Sequence, residues 1–123
     1  MSARIVLPLF GALALVATFA VAPTPSGAQE VRLSAPGASE DLQDRLRATA
    51  LLFREPEDGV TRTGEDIAAA ARADYGRIIG VLYEEGFFAP VIAIRLDGRD
   101  AAGISPFDPP QTVREVEIVI DIG

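Results

Sequence analysis

The chain has 123 residues, with eleven arginines, no lysine and eighteen aspartates and glutamates, so its net charge is −7 at pH 7. It holds no Cys, no His and no Trp, which excludes Cys/His zinc sites, thiol nucleophiles, disulfide scaffolds and Ser-His-Asp triads. Sequence-independent nucleic-acid binding needs a basic surface, so nucleic acid is not an expected partner of this acidic chain.

The first segment reads as an address. From Ile5 to Ala22 no residue is charged, and Arg4 is the only charge before Glu30. Pro23, Pro25 and the small-residue run Ser26-Gly27-Ala28 follow. A basic start, an apolar middle and small residues at the end describe a secretory signal peptide over 1–28, cut after Ala28. Ala20-Val21-Ala22 is a competing cleavage site, disfavoured by the rigid Pro23 behind it. The alternative is a retained anchor, but this apolar run sits at the bottom of the range for a spanning helix, and Pro8 and Gly11 weaken it. Removing 1–28 takes away Arg4 and no acid, leaving a charge of −8 on residues 29–123. Export places that domain in the periplasm or outside the cell, where without Cys its core alone must hold it.

Glu30-Val31-Arg32-Leu33-Ser34 alternates as a short, half-buried strand does. After Ala35-Pro36-Gly37, Ser39 is a good helix N-cap, with Glu40 and Asp41 complementing the dipole in the first turn. Leu42, Leu46, Thr49, Ala50 and Phe53 share a face, predicting a helix from Glu40 to Phe53. A loop with Pro56 and Gly59 leads to Thr63, which with Asp66 forms a capping box for a second helix over Glu65–Glu85. Its stripe is Ile67, Ala71, Tyr75, Ile78, Ile79 and Leu82, and Gly86 suits the left-handed position after the last turn. Gly76 and Gly80 inside it predict close approach of a neighbouring element. Of Phe87 and Phe88, one ring is expected in the core and the other exposed.

Pro90 opens a second strand, in which Val91, Ala93 and Arg95 point one way and Ile92, Ile94 and Leu96 the other. Asp97-Gly98 starts a turn, and a Pro- and Gly-rich connection runs to Gln111. From Thr112 the third strand sets Val116, Ile118, Ile120 and Ile122 on one face and Glu115, Glu117, Val119 and Asp121 on the other. It is the longest and most β-branched, so it belongs in the centre. Two amphipathic helices need one apolar sheet face. The fold class is therefore α+β, ordered β-α-α-β-β. Its three-stranded mixed sheet has both helices on one face, strands two and three antiparallel, and strands one and three parallel.

Chemistry is hard to find. Glu84 and Glu85 are adjacent on a helix and point apart, Glu57-Asp58 sits in a loop, and Ser34, Ser39 and Tyr83 lack a basic partner. Asp97, Asp100 and Asp108 lack the alternating ligand spacing of a calcium loop. No glycine-rich loop opens a helix to cradle phosphate. Neither a catalytic or metal residue nor a cofactor is expected. What stands out is the second strand, Val91, Ile92, Ala93, Ile94, Arg95 and Leu96. Pro90 argues for an edge position, and Arg95 is its one charge. Such an edge is either a docking place for a partner strand, with backbone hydrogen bonds supplying the affinity, or is covered by a loop or a further domain.

The stretch ADYGRIIGVLYEEGFFAPVIAIRLDGR (73–99) and the closing segment TVREVEIVIDIG (112–123) resemble a POTRA domain of the BamA/TamA outer-membrane assembly superfamily. They are most similar to the first POTRA domain of alphaproteobacterial TamA-type proteins. The resemblance implies a non-enzymatic periplasmic module that holds partners partly by edge pairing, here through Val91 to Leu96. The implied partners are the other domains of a parent assembly factor, unfolded outer-membrane protein strands and an inner-membrane TamB-like protein. The sequence stops at Gly123 without a further β-α-α-β-β unit or strands for a barrel, so membrane association through a barrel would belong to a longer parent. The competing expectation is a free-standing periplasmic domain binding a small ligand or lipid between helices and sheet.

Overall fold

The computed structural model describes residues 29–123, together with Ala17. The predicted export segment otherwise lies outside the described residues. Strand β1 (Glu30–Ser34) leads to helix α1 (Glu40–Thr49) and helix α2 (Gly64–Glu84), followed by β2 (Val91–Leu96), β3 (Arg99–Asp100) and β4 (Glu115–Asp121). The sheet order is β1-β4-β2-β3. β1 runs parallel to β4, with Val31 beside Val116. β2 runs antiparallel to β4, with Ile94 opposite Ile118. The long alternating strand is central, as its composition requires.

One correction concerns the strand count. The sheet has four strands, because Asp97 and Gly98 adopt positive φ (48° and 82°) and return the chain at once. Arg95 then pairs with Asp100 and Leu96 with Arg99. A two-residue Asp-Gly loop with both φ positive is the tight hairpin turn that matches strand twist. Asp97 spends its carboxylate on the N–H groups of Arg114 and Glu115 (3.1 and 2.8 Å), fixing the start of β4 to this turn.

Both helix starts follow from their caps. Ser39 accepts the Leu42 N–H, and Thr63 and Asp66 form the reciprocal capping box. Gly86, at φ 91°, closes α2 in the left-handed conformation that glycine adopts freely. α1, however, ends at Thr49. Ala50 turns extended (φ −71°, ψ 130°), and residues Leu51–Phe53 form a separate 3₁₀ turn. The cause lies across the fold: Asp74 of α2 accepts Leu51 N–H (2.7 Å) and Leu52 N–H (2.9 Å), which an unbroken helix would have directed to its own carbonyls.

The core lies between the helices and one sheet face. Leu42, Leu46, Ile67, Ala71, Ile78 and Leu82 from the helices meet Ile94, Leu96, Val116, Ile118 and Ile120 from the sheet. Phe87 packs against this core, while Phe88 stays exposed. The opposite sheet face, with Arg32, Arg95, Glu115, Glu117 and Asp121, is exposed. Within 29–123 these residues form a two-layer core between the helices and the sheet. The expectation for Gly76 and Gly80 is overturned, since a Cβ at either would meet nothing within 4 Å among the described residues. The close approach occurs instead at Gly64, where a Cβ would lie 1.9 Å from the Pro110 carbonyl oxygen.

Candidate interaction edge

Strand parity decides which backbone groups of β2 face outward. Asp97 N–H donates to Glu115 O across β4 (2.9 Å), so Val91, Ala93 and Arg95 also direct their backbone groups to β4. Ile92, Ile94 and Leu96 direct theirs away. The side chains divide as the alternation predicts. Ile94 and Leu96 are buried in the core and Ile92 half-buried against it, whereas Val91 is 66% exposed and Arg95 lies on the solvent face.

The outward backbone groups are not all open, which corrects the expectation of an unprotected strand. Leu96 is covered by its pairing with Arg99 of β3, and the Arg95–Asp100 step of the same ladder sets the Ile94 carbonyl against the Ala101 N–H. The Ile94 N–H donates to the hydroxyl of Tyr75 (3.2 Å). That hydroxyl in turn donates to Asp100 Oδ1 (3.2 Å), which also accepts the Ala102 N–H (3.0 Å). Tyr75 thus does for Ile94 what a neighbouring strand would have done. Burial, reinforced by the Asp100 charge, pushes the phenol above its ordinary range, against the opposing pull of the Ile94 N–H, so it stays protonated as a donor at neutral pH. The open stretch runs from Pro90 to Ile94. It presents the N–H and C=O of Ile92 and the carbonyl of Pro90, none of them hydrogen-bonded across that edge among the described residues.

The open stretch is flanked by exposed apolar side chains. Tyr75, Ile79 and Tyr83 follow one another at four-residue spacing along α2. Tyr75 fixes this side of the helix beside the outer edge of β2. Ile79 is 36% and Tyr83 49% exposed. Tyr83 stacks obliquely on Phe88 (centroids 5.7 Å apart), itself 72% exposed just before β2. Arg45 of α1 clamps both Glu84 and Glu85 at the end of α2, so these two carboxylates are tied to one guanidinium.

Among the described residues no group of three Asp, Glu, His or Cys side chains is placed to hold a metal. Asp97 and Asp100 are engaged by backbone donors of different segments. Sequence reasoning found the strand but missed β3 and the Tyr75 plug. The Asp97-Gly98 pair was the available signal for β3, since it demands immediate strand return. No family model matches the chain, and neither a curated protein nor a solved structure matches it.

Proposed function

We propose that this chain is an exported, non-enzymatic POTRA-type module. In this reading it serves a periplasmic outer-membrane assembly or translocation factor and docks extended segments of unfolded outer-membrane proteins along the β2 edge between Pro90 and Ile94. The other domains of the parent factor and a TamB-like inner-membrane protein are its further partners. The observation that carries the reading is the outward N–H and C=O of Ile92, without a hydrogen-bond partner among the described residues and beside the apolar shoulder of Ile79, Tyr83 and Phe88. Strand addition at such an edge takes its affinity from the backbone and makes little demand on partner sequence, which suits a module that must accept many unfolded clients. The layer between helices and sheet is filled by Ala71, Ile78, Leu82, Ile94, Ile118 and Ile120, all fully buried, which favours docking at the rim over a ligand held within.

The test is Ile92→Pro. Residue 92 directs its N–H outward, so proline there removes the docking donor and leaves the ladder to β4 intact. Ile94→Pro is a worse probe, because it would strip the Tyr75 contact and disturb a buried side chain. Binding of a synthetic peptide of about ten residues with the alternating pattern of a transmembrane strand is measured by fluorescence anisotropy. The expected result is a loss of at least about threefold in affinity with an unchanged circular dichroism spectrum. Equal binding by the variant would remove the β2 edge from the function.

A further inference from the structure

The opposite rim of the sheet is built differently. Glu30 N–H donates to Arg114 O (2.9 Å), so Glu30, Arg32 and Ser34 turn their backbone groups toward β4, and Val31 and Leu33 turn theirs outward. Among the described residues these outward groups meet no partner strand, since β1 ends the sheet. Val31 and Leu33 lie beside Val116 and Ile118, which are buried, yet both remain half-buried themselves. The core is therefore left partly open along this rim. The usual guards are absent: β1 has no proline, and its two charges are of opposite sign. Glu30 and Arg32 sit on the solvent face, 2.8 Å apart.

We propose that this edge pairs antiparallel with β1 of a second copy of the chain, with Val31 opposite the partner's Val31. Hydrogen bonds form only where outward residues meet outward residues, which leaves three central registers about a two-fold axis. Centring on Arg32 sets that arginine against its own copy. Centring on Leu33 sets Glu30 against Pro36 in the turn and gives no charge pair. Centring on Val31 sets Glu30 against the partner's Arg32 and Arg32 against the partner's Glu30. Val31 exchanges both its hydrogen bonds with its counterpart, and Leu33 meets Gln29 on either side. The two ion pairs fall at the closely spaced, non-hydrogen-bonded positions, where cross-strand side chains interact most. Glu30 also neighbours Glu115 on β4, so an incoming arginine relieves a like-charge contact. The sequence Glu-Val-Arg is thus self-complementary in one register, and that selects a second copy over an arbitrary strand. The contact is confined to one strand between two acidic molecules, so the dimer is weak and concentration-dependent. It uses the opposite edge from β2 and stands independently of the function proposed above.

Analytical ultracentrifugation of residues 29–123 over about two decades of concentration tests this with charge swaps at exposed positions. The expected result is reversible dimerisation, weakened roughly tenfold by Arg32→Glu through two like-charge contacts. The double exchange Glu30→Arg with Arg32→Glu restores it, because the swapped pair is again self-complementary. Val31→Pro, which removes an outward N–H twice per dimer, abolishes it. A protein that is monomeric throughout overturns the proposal. So does a dimer indifferent to Arg32→Glu, a double exchange that fails to restore association, or a dimer lost with Ile92→Pro instead.

Discussion

Asp74 is fully buried on α2, and its two oxygens accept two consecutive backbone N–H groups, Leu51 to Oδ1 and Leu52 to Oδ2. Replacing it by asparagine keeps the shape but turns one acceptor into an NH₂ facing an N–H. One charge-assisted bond is lost, about 1.5–3 kcal/mol, and a donor is left orphaned at about 1 kcal/mol or more. Removing the buried charge returns part of that. The net cost expected is about 2–3 kcal/mol, read by urea denaturation at pH 7, with Tm lower by roughly 10–20 °C for a domain of this size. The pH dependence adds a second check. Burial pushes the Asp74 carboxyl above its ordinary value, against the two backbone bonds and the nearby Arg77 and Arg62 charges. The folded state then takes up this proton at higher pH than the unfolded chain does. The contribution of Asp74 is therefore smallest where it is ionised, and grows as pH falls through its folded value. Asparagine does not titrate, so the stability gap between wild type and Asp74→Asn should widen between neutral and mildly acid pH. A gap under about 0.5 kcal/mol at pH 7, or one that narrows on acidification, would refute the claim that this carboxylate holds the break after α1.

Other substitutions test neighbouring parts of the structure. Gly64→Ala forces a Cβ into the Pro110 carbonyl and should cost about 3 kcal/mol in chemical denaturation, since the obstacle is backbone. Gly76→Ala and Gly80→Ala, which meet open space within an exposed helix face, should each raise stability by about 0.5–1 kcal/mol. No gain at either would mean that the helix needs glycine there for something beyond this fold. Tyr75→Phe should speed hydrogen exchange at the Ile94 amide by NMR while leaving the Ala93 amide, which faces β4, as slow as before. Equal protection in wild type and variant would remove the hydroxyl from its role at the edge.

Periodicity carried most of the fold. The alternation in Glu30–Ser34 and Glu115–Asp121, the stripes of the two helices and the Thr63/Asp66 box state locally what the tertiary structure uses. What the sequence hid was decided at a distance. Nothing in Arg47 to Phe53 announces that Ala50 breaks the helix, because the carboxylate responsible lies 23 positions away. Gly76 and Gly80 look alike to Gly64 on paper, and only what stands opposite each distinguishes them. A two-residue strand has no period to detect, and a tyrosine in a helical stripe reads as core until its hydroxyl is seen on the Ile94 N–H. The candidate site was accordingly legible as a strand and an edge, while its partial closure by β3 and the Tyr75 hydroxyl was not.

The two rims of the sheet suit different kinds of partner, and backbone chemistry alone separates them. At β1 each outward residue, Val31 and Leu33, offers one donor and one acceptor, so an antiparallel copy meets a matched row. At β2 the row is short of donors. Pro90 has no N–H, and the Ile94 N–H is held by Tyr75. Two β2 edges centred on Ile92 would set the Pro90 carbonyl of each against an Ile94 N–H already taken. Self-pairing there wastes a hydrogen bond at each of those contacts. A foreign strand with an ordinary residue opposite Pro90 supplies that carbonyl with the missing N–H. The tyrosine plug thus acts against self-association at β2 while leaving it able to receive an unrelated extended chain.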